Sequence, residues 1–134
     1  MPVNLSTRTY QIFKPPYFYN SAIARPTISN APAVVYYNQG FNVSTPDAAN
    51  VTAVRLIRPG SATHSFDQDQ RLIELSFTVK DATTIRVAAP AHGNIAPPGY
   101  YMLFVAVGPN GSVPSEGRFL RLSYYQQAPP PQQP

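Results

Sequence analysis

Proline is the feature that most constrains the fold of this chain. Sixteen of the 134 residues are proline, where roughly 5% is usual. Proline lacks the amide hydrogen and fixes φ, so it is excluded from helix interiors and from central strands. A helical bundle is therefore excluded, and a fold of short strands and many turns is favoured. The length suits one domain.

Alternating hydrophobic residues predict about seven strands. The clearest run covers residues 71–79, where Ile73, Leu75, Phe77 and Val79 face one way. Residues 100–107 are apolar on both faces, which is typical of a central strand. The other candidate strands are residues 25–30, 33–37, 39–45, 51–58, 83–89 and 119–124. Turn signals between them favour an all-β, Ig-like sandwich.

Changes in composition along the chain predict three segments. Residues 1–24 contain two consecutive prolines and read as an N-terminal segment and linker. Residues 25–125 hold the predicted strands and form the expected Ig-like domain. Residues 126–134, QQAPPPQQP, are of low complexity and are expected to be a polyproline II or disordered tail.

Several classes of site are excluded by counts alone. The chain has no cysteine and two histidines, which excludes disulfides, zinc–thiolate sites and cysteine nucleophiles. The net charge is +4, but the arginines are spread from Arg8 to Arg121 without clustering, so no nucleic-acid surface is expected. The longest apolar run is too short for a membrane span.

The expected compartment is extracellular, although no secretory signal is present in the sequence given. This expectation rests on four N-x-[ST] sequons, at Asn4, Asn42, Asn50 and Asn110, more than chance predicts, which suggests a secreted glycoprotein. Asn42 lies in a predicted strand, so Asn50 and Asn110 are the stronger glycosylation candidates.

The segment 58–71, RPGSATHSFDQDQR, is unusually long for a connection in so small a fold. His64 lies at its middle among small residues, which is compatible with a metal ligand, a proton carrier or a solvated loop histidine. Asp67 and Asp69 are expected to pair with Arg71 or Arg58. Long ordered loops often carry function, so this segment is the main candidate site.

The run LIRPGSATHSFDQDQRLIEL resembles the C-terminal Ig-like early set domain of the copper-radical oxidases, the family of galactose oxidase and glyoxal oxidase. The segments YQIFKPPYFYN…ARPTI and APPGYYMLFVAVGPNGSVPSEG resemble the same domain, and the glyoxal oxidase branch looks closer. The resemblance covers about residues 10–124. It implies that residues 1–24 contain the remnant of a propeller-blade strand.

The resemblance also implies a role for particular residues. His64 matches the family's copper-ligand histidine, carried on a hairpin that enters the channel of a β-propeller. Asp69, Gln70 and Arg71 match the motif around it and are assigned a loop-bracing role. His92 matches no family ligand and is expected to be a surface residue.

The family reaction oxidises a primary alcohol or aldehyde and reduces dioxygen to hydrogen peroxide. Its copper needs two tyrosines and two histidines, and one of these tyrosines is crosslinked to a cysteine that this chain lacks. The chain alone is therefore expected to be non-catalytic and to hold no copper tightly. The implied partner is a β-propeller domain or chain that carries the remaining ligands.

Two other functions stay open. One is a standalone Ig-like module that self-assembles through its N-terminal strand, residues 9–13, or binds a partner by strand addition. The other is a carbohydrate-binding sandwich with Tyr17, Tyr19, Tyr36 and Tyr37 as stacking platforms.

Overall fold

Eleven strands and three single-turn 3-10 helices make up the regular structure in residues 11–19 and 22–125, which the computed structural model describes. The strands are β1 (Val34–Tyr36), β2 (Gly40–Ser44), β3 (Val51–Arg58), β4 (Ser61–Thr63), β5 (Phe66–Gln68), β6 (Arg71–Leu75), β7 (Phe77–Asp81), β8 (Thr84–Ala88), β9 (Gly99–Val107), β10 (Val113–Pro114) and β11 (Arg118–Ser123). The 3-10 helices are Pro16–Tyr19, Ala48–Asn50 and Pro109–Gly111. The all-β prediction is confirmed.

The strands form two main sheets and one small hairpin sheet. The large sheet has the order β1-β11-β9-β3-β6, with β10 paired to β9. The small sheet has the order β2-β8-β7, and β4 pairs only with β5. β1 runs parallel to β11, whereas the other pairings are antiparallel.

The core lies between the two main sheets and takes side chains from both. Leu56, Leu103 and Leu122 come from the large sheet, and Val43 and Ile85 come from the small one, all with no exposed surface. The predicted central strand is confirmed, because β9 lies between β11 and β3. Its second face is only partly covered: Met102 and Phe104 are half-buried and Tyr100 is exposed.

The predicted strand 71–79 is two strands in the structure. β6 pairs with β3 in the large sheet, while β7 pairs with β8 in the small sheet. The break falls at Ser76, whose carbonyl accepts a hydrogen bond from the Ala88 amide at 2.9 Å. Leu75 is buried as expected, but Val79 is 52% exposed, because it lies on the sheet's edge strand.

The prediction of a strand at residues 25–30 is wrong. Only Asn30 forms a β-bridge there, with Ser44. The Thr27 amide donates to the Asp47 carboxylate instead of to a strand. Pro26 has no amide hydrogen to donate, and the backbone hydrogen bonds of the segment to a strand are those of Ser29 and Asn30 with Ser44.

The N-terminal strand predicted at residues 9–13 is described only from residue 11 onward, and residues 11–13 lie outside any strand. Ile12 and Phe13 are 81% and 84% exposed. The predicted tail at residues 126–134 lies outside the described residues. In the described part of the chain, no helix has the length and apolar character needed to cross a membrane.

Candidate functional site

The segment between β3 and β6 is a projecting hairpin rather than an irregular loop. β4 and β5 pair antiparallel, with Thr63 opposite Phe66, and His64 and Ser65 form the two-residue turn between them. Every residue from 59 to 70 is exposed. The hairpin therefore extends away from the sandwich and places His64 at its tip.

The turn has an unusual backbone conformation for its residue types. His64 has φ of 51° and Ser65 has φ of 65°. Two-residue hairpins favour turns with positive φ at both central positions, which normally hold Asn-Gly or similar pairs. Each L-residue in this region costs about 1–2 kcal/mol. A histidine and a serine here are strained, and strain of this kind is concentrated at functional sites.

The His64 ring is oriented by its neighbour in sequence. Nδ1 lies 2.7 Å from the Thr63 hydroxyl oxygen. If Nδ1 carries the proton and donates to that oxygen, Nε2 keeps a free lone pair and can bind a metal. Hydrogen bonding of the second ring nitrogen is the usual way in which metal-binding histidines are oriented. Thr63 was not identified from the sequence as a candidate for this role.

The base of the hairpin is held by an arginine–aspartate–arginine cluster. Asp69 lies 3.0 Å from Arg58 Nη2 and 3.8 Å from Arg71 Nη2. Asp69 itself has φ of 72°. The expected pairing with Arg58 or Arg71 is therefore present for Asp69. For Asp67, no ion pair is formed with any described residue.

The same two arginines connect the hairpin base to the loop before β9. Arg58 donates to the Pro97 carbonyl at 3.3 Å and its guanidinium lies 5.7 Å from the Tyr101 ring centroid. Arg71 donates to the Ile95 carbonyl at 3.3 Å. Arg58 thus joins three segments, a role that residue spacing alone does not reveal because Pro97 and Tyr101 are far away in sequence.

The remaining residues of the motif have smaller structural roles. The Asp67 carboxylate lies against Gly60, at the position that an added Cβ would occupy. Any other residue at position 60 would therefore displace Asp67. Gln70 is exposed, and its side chain forms no hydrogen bond with a described residue.

The hairpin has the residues for only part of a copper site. Imidazole is a good copper ligand, and the orientation of His64 suits coordination through Nε2. Among the described residues, however, no group of three or more histidine, cysteine, aspartate or glutamate side chains is close enough to hold a metal. His92 lies on a separate exposed turn. The hairpin can therefore contribute one ligand to a site completed by other groups.

Three of the four sequon asparagines are described, and Asn4 lies outside the described residues. Asn42, Asn50 and Asn110 are all exposed. The Asn42 amide oxygen accepts a hydrogen bond from Arg86 at 3.1 Å. Each of the three is accessible to modification.

The tyrosines proposed as stacking platforms do not share one surface role. Tyr37 is buried, and its hydroxyl donates to the Ala96 carbonyl. Burial, with a smaller contribution from Tyr124, raises the pKa of Tyr37 to about 12. Tyr17 stacks on Phe18, and Tyr36 contacts the ring edge of Tyr125. The prediction that Tyr37 is a stacking platform is therefore wrong, because Tyr37 is a core residue.

Comparison with known proteins places this geometry in a family. The model of the galactose oxidase-like early set domain matches residues 25–122. The aldehyde oxidase GLOX of Vitis pseudoreticulata is 40% identical over 121 residues, covering 84% of this chain and 23% of that protein. Galactose oxidase of Gibberella zeae is 34% identical over 116 residues, covering 84% of this chain and 17% of that protein.

A solved structure shows the same fold. It is a fungal alcohol oxidase in complex with copper, with a TM-score of 0.70 and 28% identity, covering 81% of this chain and 23% of that one. The chain thus spans about a fifth of the length of the relatives that it matches.

Proposed function

The chain belongs to the family of galactose oxidase-like early set domains, and on that premise we propose that it is the C-terminal domain of a copper-radical oxidase of the glyoxal or galactose oxidase type. It does not catalyse by itself. It supplies His64 as one copper ligand, on the β4–β5 hairpin, to a β-propeller that carries the other ligands. The domain comprises residues 25–125, and it functions outside the cell.

The observation that carries this proposal is the placement of His64. A solvated loop histidine needs neither a projecting hairpin nor two consecutive residues with positive φ. Here the strained turn puts the imidazole at the tip, and Thr63 fixes its ring. This arrangement delivers one nitrogen ligand into a narrow space.

The residues of this chain position that ligand and do not perform redox chemistry. Copper, once bound by the complete site, supplies the electron transfer between the alcohol or aldehyde and dioxygen. Thr63 orients the imidazole through Nδ1, so that Nε2 would be the nitrogen that holds the metal. Arg58, Asp69 and Arg71 fix the base of the hairpin to the sandwich, so that the tip enters at a defined angle.

Titration of copper(II) into the chain by calorimetry tests the proposal. One imidazole does not hold copper tightly, so we expect weak binding that is lost in His64→Ala and unchanged in His92→Ala, the matched control. No hydrogen peroxide is expected from methylglyoxal or galactose. Submicromolar copper binding that survives His64→Ala, or peroxide release by the chain alone, would contradict the proposal.

A further inference from the structure

The turn between β9 and β10 contains the pair Asn110 and Gly111, within the single-turn 3-10 helix Pro109–Gly111. Asn110 is exposed and has φ of 53° and ψ of 28°. Gly111 has φ of 62°. Positive φ at two successive residues is the conformation for which Asn-Gly is a preferred pair, so these residue types suit the turn.

Glycine is required at position 111 for two reasons. The residue is buried, and an added Cβ would come within 2.7 Å of the Ala53 Cβ. The positive φ adds a further penalty for any residue with a side chain. The fold therefore places directly after Asn110 the one residue that has no side chain to shield its backbone nitrogen.

Asparagine is a thermolabile residue, and before glycine it can lose its side-chain amide without an enzyme. The glycine nitrogen attacks Cγ of the asparagine, a C–N bond forms, and the side-chain nitrogen leaves as ammonia with the proton of the attacking N–H. Water then opens the five-membered imide at either carbonyl and gives aspartate or isoaspartate. The step needs no oxidant or reductant, and it converts a neutral side chain into a carboxylate.

The folded turn keeps the two reacting atoms apart. With ψ of 28°, the Gly111 nitrogen lies on the far side of the Cα–C bond from the Cβ of Asn110. Closure of the imide needs both atoms on the same side, so ψ must rotate, and the Asn110 carbonyl oxygen moves with it. The same rotation breaks the 3.1 Å hydrogen bond from the Gly111 amide to the Gly108 carbonyl.

Arg55 on β3 opposes this rotation most directly. Its Nη2 donates to the Asn110 carbonyl and its Nη1 to the Gly111 carbonyl, both at 2.9 Å. Its Nε lies 3.1 Å from the Glu74 carboxylate, which orients the guanidinium. A planar guanidinium that holds two carbonyls at once fixes their relative orientation. Rotation of ψ at Asn110 therefore requires Arg55 to release at least one of them.

We propose that Asn110 is a site of spontaneous deamidation and that Arg55 sets its rate by holding the turn closed. The reaction proceeds through local openings in which Arg55 has released the Asn110 carbonyl. Openings of this kind occur in folded proteins at free energies below that of global unfolding. Asn110 is also a sequon asparagine, and loss of its amide removes the nitrogen to which a glycan would attach.

This inference does not rest on the proposed function. The turn follows Val107, which pairs with Val51 at the end of the large sheet opposite to the β4–β5 hairpin. Deamidation should therefore leave copper binding through His64 unchanged. Isoaspartate adds one carbon to the main chain, so it should disturb the pairing of Val107 with Val113 and lower the melting temperature.

The test follows deamidation in the chain made in a bacterial host, without N-glycans. Peptide mass spectrometry measures the modification at Asn110, and labelling by an isoaspartyl methyltransferase identifies the isoaspartate that only the imide route produces. We expect the urea-unfolded chain to react fastest and the native chain slowest. Arg55→Met should react about tenfold faster than the native chain, because loss of a charged hydrogen bond raises the population of the open turn by about that factor.

Two matched controls accompany these measurements. Arg86→Met removes an exposed arginine that donates to Asn42 on the small sheet, and it should react as the native chain does. Asn38 is exposed and has φ of 57°, as Asn110 does, but it precedes Gln39 rather than glycine. It should stay intact while Asn110 reacts, in the folded and in the unfolded chain.

A second variant covers the case in which thermal unfolding shows that Arg55→Met does not fold. Arg55→Lys keeps the charge but cannot hold both carbonyls in one plane, so its rate should lie between those of the native chain and the unfolded chain. Equal rates in the native chain and in the folded Arg55 variants would overturn the role of Arg55. Reaction of the native chain as fast as the unfolded one, or of Asn38 as fast as Asn110, would overturn the proposal, as would aspartate without isoaspartate.

Discussion

The two sheets of the sandwich share one core and differ on their outer faces. The small sheet presents Asn42, Thr78, Lys80 and Arg86 together on its outer surface. The large sheet presents a row of apolar side chains on its outer surface, with Leu72 and Phe119 more than half exposed; in register they are Leu72, Ile57, Met102 and Phe119. A polar outer face is what a sheet in contact with water requires.

The β7–β8 hairpin of the small sheet and the β4–β5 hairpin that extends from the large sheet also differ, in the strain of their turns. The β7–β8 turn has no residue with positive φ, and Asp81 accepts hydrogen bonds from the amide and hydroxyl of Thr83 at 2.9 and 3.2 Å. The β4–β5 turn is strained at both His64 and Ser65. One hairpin is thus built to close a turn at low energy, and the other to present a side chain.

This contrast separates a sheet whose outer face and hairpin suit contact with water from a sheet whose outer face and hairpin do not. Stability alone would favour polar residues on both outer faces and relaxed turns in both hairpins. The large sheet departs from that optimum at its hairpin end. Such local departures are expected at functional sites.

The largest expected effect lies where the two sheets are alike, on their inner faces. Leu103→Ala in the large sheet and Ile85→Ala in the small sheet each remove a side chain with no exposed surface. Each should lower the free energy of unfolding by about 2–5 kcal/mol, measured by chemical denaturation. A loss below about 1 kcal/mol for either would show that its sheet does not share the common core.

The next largest difference in stability is expected between one arginine on the outer face of each sheet. Arg55 donates to the carbonyls of Gly111 and Asn110, both at 2.9 Å, and to Glu74, whereas Arg86 donates to Asn42 and is exposed. Arg55→Met should cost about 1–2 kcal/mol of unfolding free energy, because the partly buried Gly111 carbonyl and the Asn110 carbonyl each lose a charged donor. Arg86→Met should cost about 0.5 kcal/mol or less. Equal losses of unfolding free energy in the two variants would show that the outer faces of the two sheets do not differ in this respect.

Relief of the strained β4–β5 turn should raise the free energy of unfolding, by less than the two substitutions above lower it. Ser65→Gly places the residue that tolerates positive φ at a position with φ of 65°. We expect a gain of about 0.5–1 kcal/mol in the free energy of unfolding. Thr83→Gly in the other hairpin is the control and should destabilise, since glycine there relieves no strain. A loss of stability in Ser65→Gly would mean that the turn is not strained.

The smallest effect is a pH dependence confined to the relaxed hairpin. The hydrogen bond from the Thr83 amide is the main cause that holds the pKa of Asp81 below its usual 3.8. The stabilisation is present above that value and is lost as the pH falls through the lower folded pKa. The melting temperature of the native chain should therefore fall more steeply below pH 4 than that of Asp81→Asn. Parallel curves would show that this carboxylate contributes nothing.

Much of the architecture was predictable because it depends on local pattern. The alternation in residues 51–58 corresponds to β3, residue for residue. Residues 100–107 were assigned as a central strand, and β9 has that place. The resemblance in residues 56–75 indicated His64, although the two-residue turn that presents it became visible only in the structure.

Other features could not be predicted because they depend on distant contacts. The change of sheet at Ser76 depends on the amide of Ala88. The connection of Arg58 to Pro97 and Tyr101 spans about forty residues. A periodicity of two shows that side chains alternate between faces, but not what covers each face.

The sequence by itself therefore determined the class of fold, the central strand and the histidine to examine, since proline content, alternation and motif are properties of short segments. Only the tertiary structure decided that Asp69 rather than Asp67 forms the ion pairs with Arg58 and Arg71, and that Leu72 and Phe119 are left exposed on one outer face. The physical reason is that burial and ion pairing depend on which residues fold against each other, and those residues are far apart in the chain.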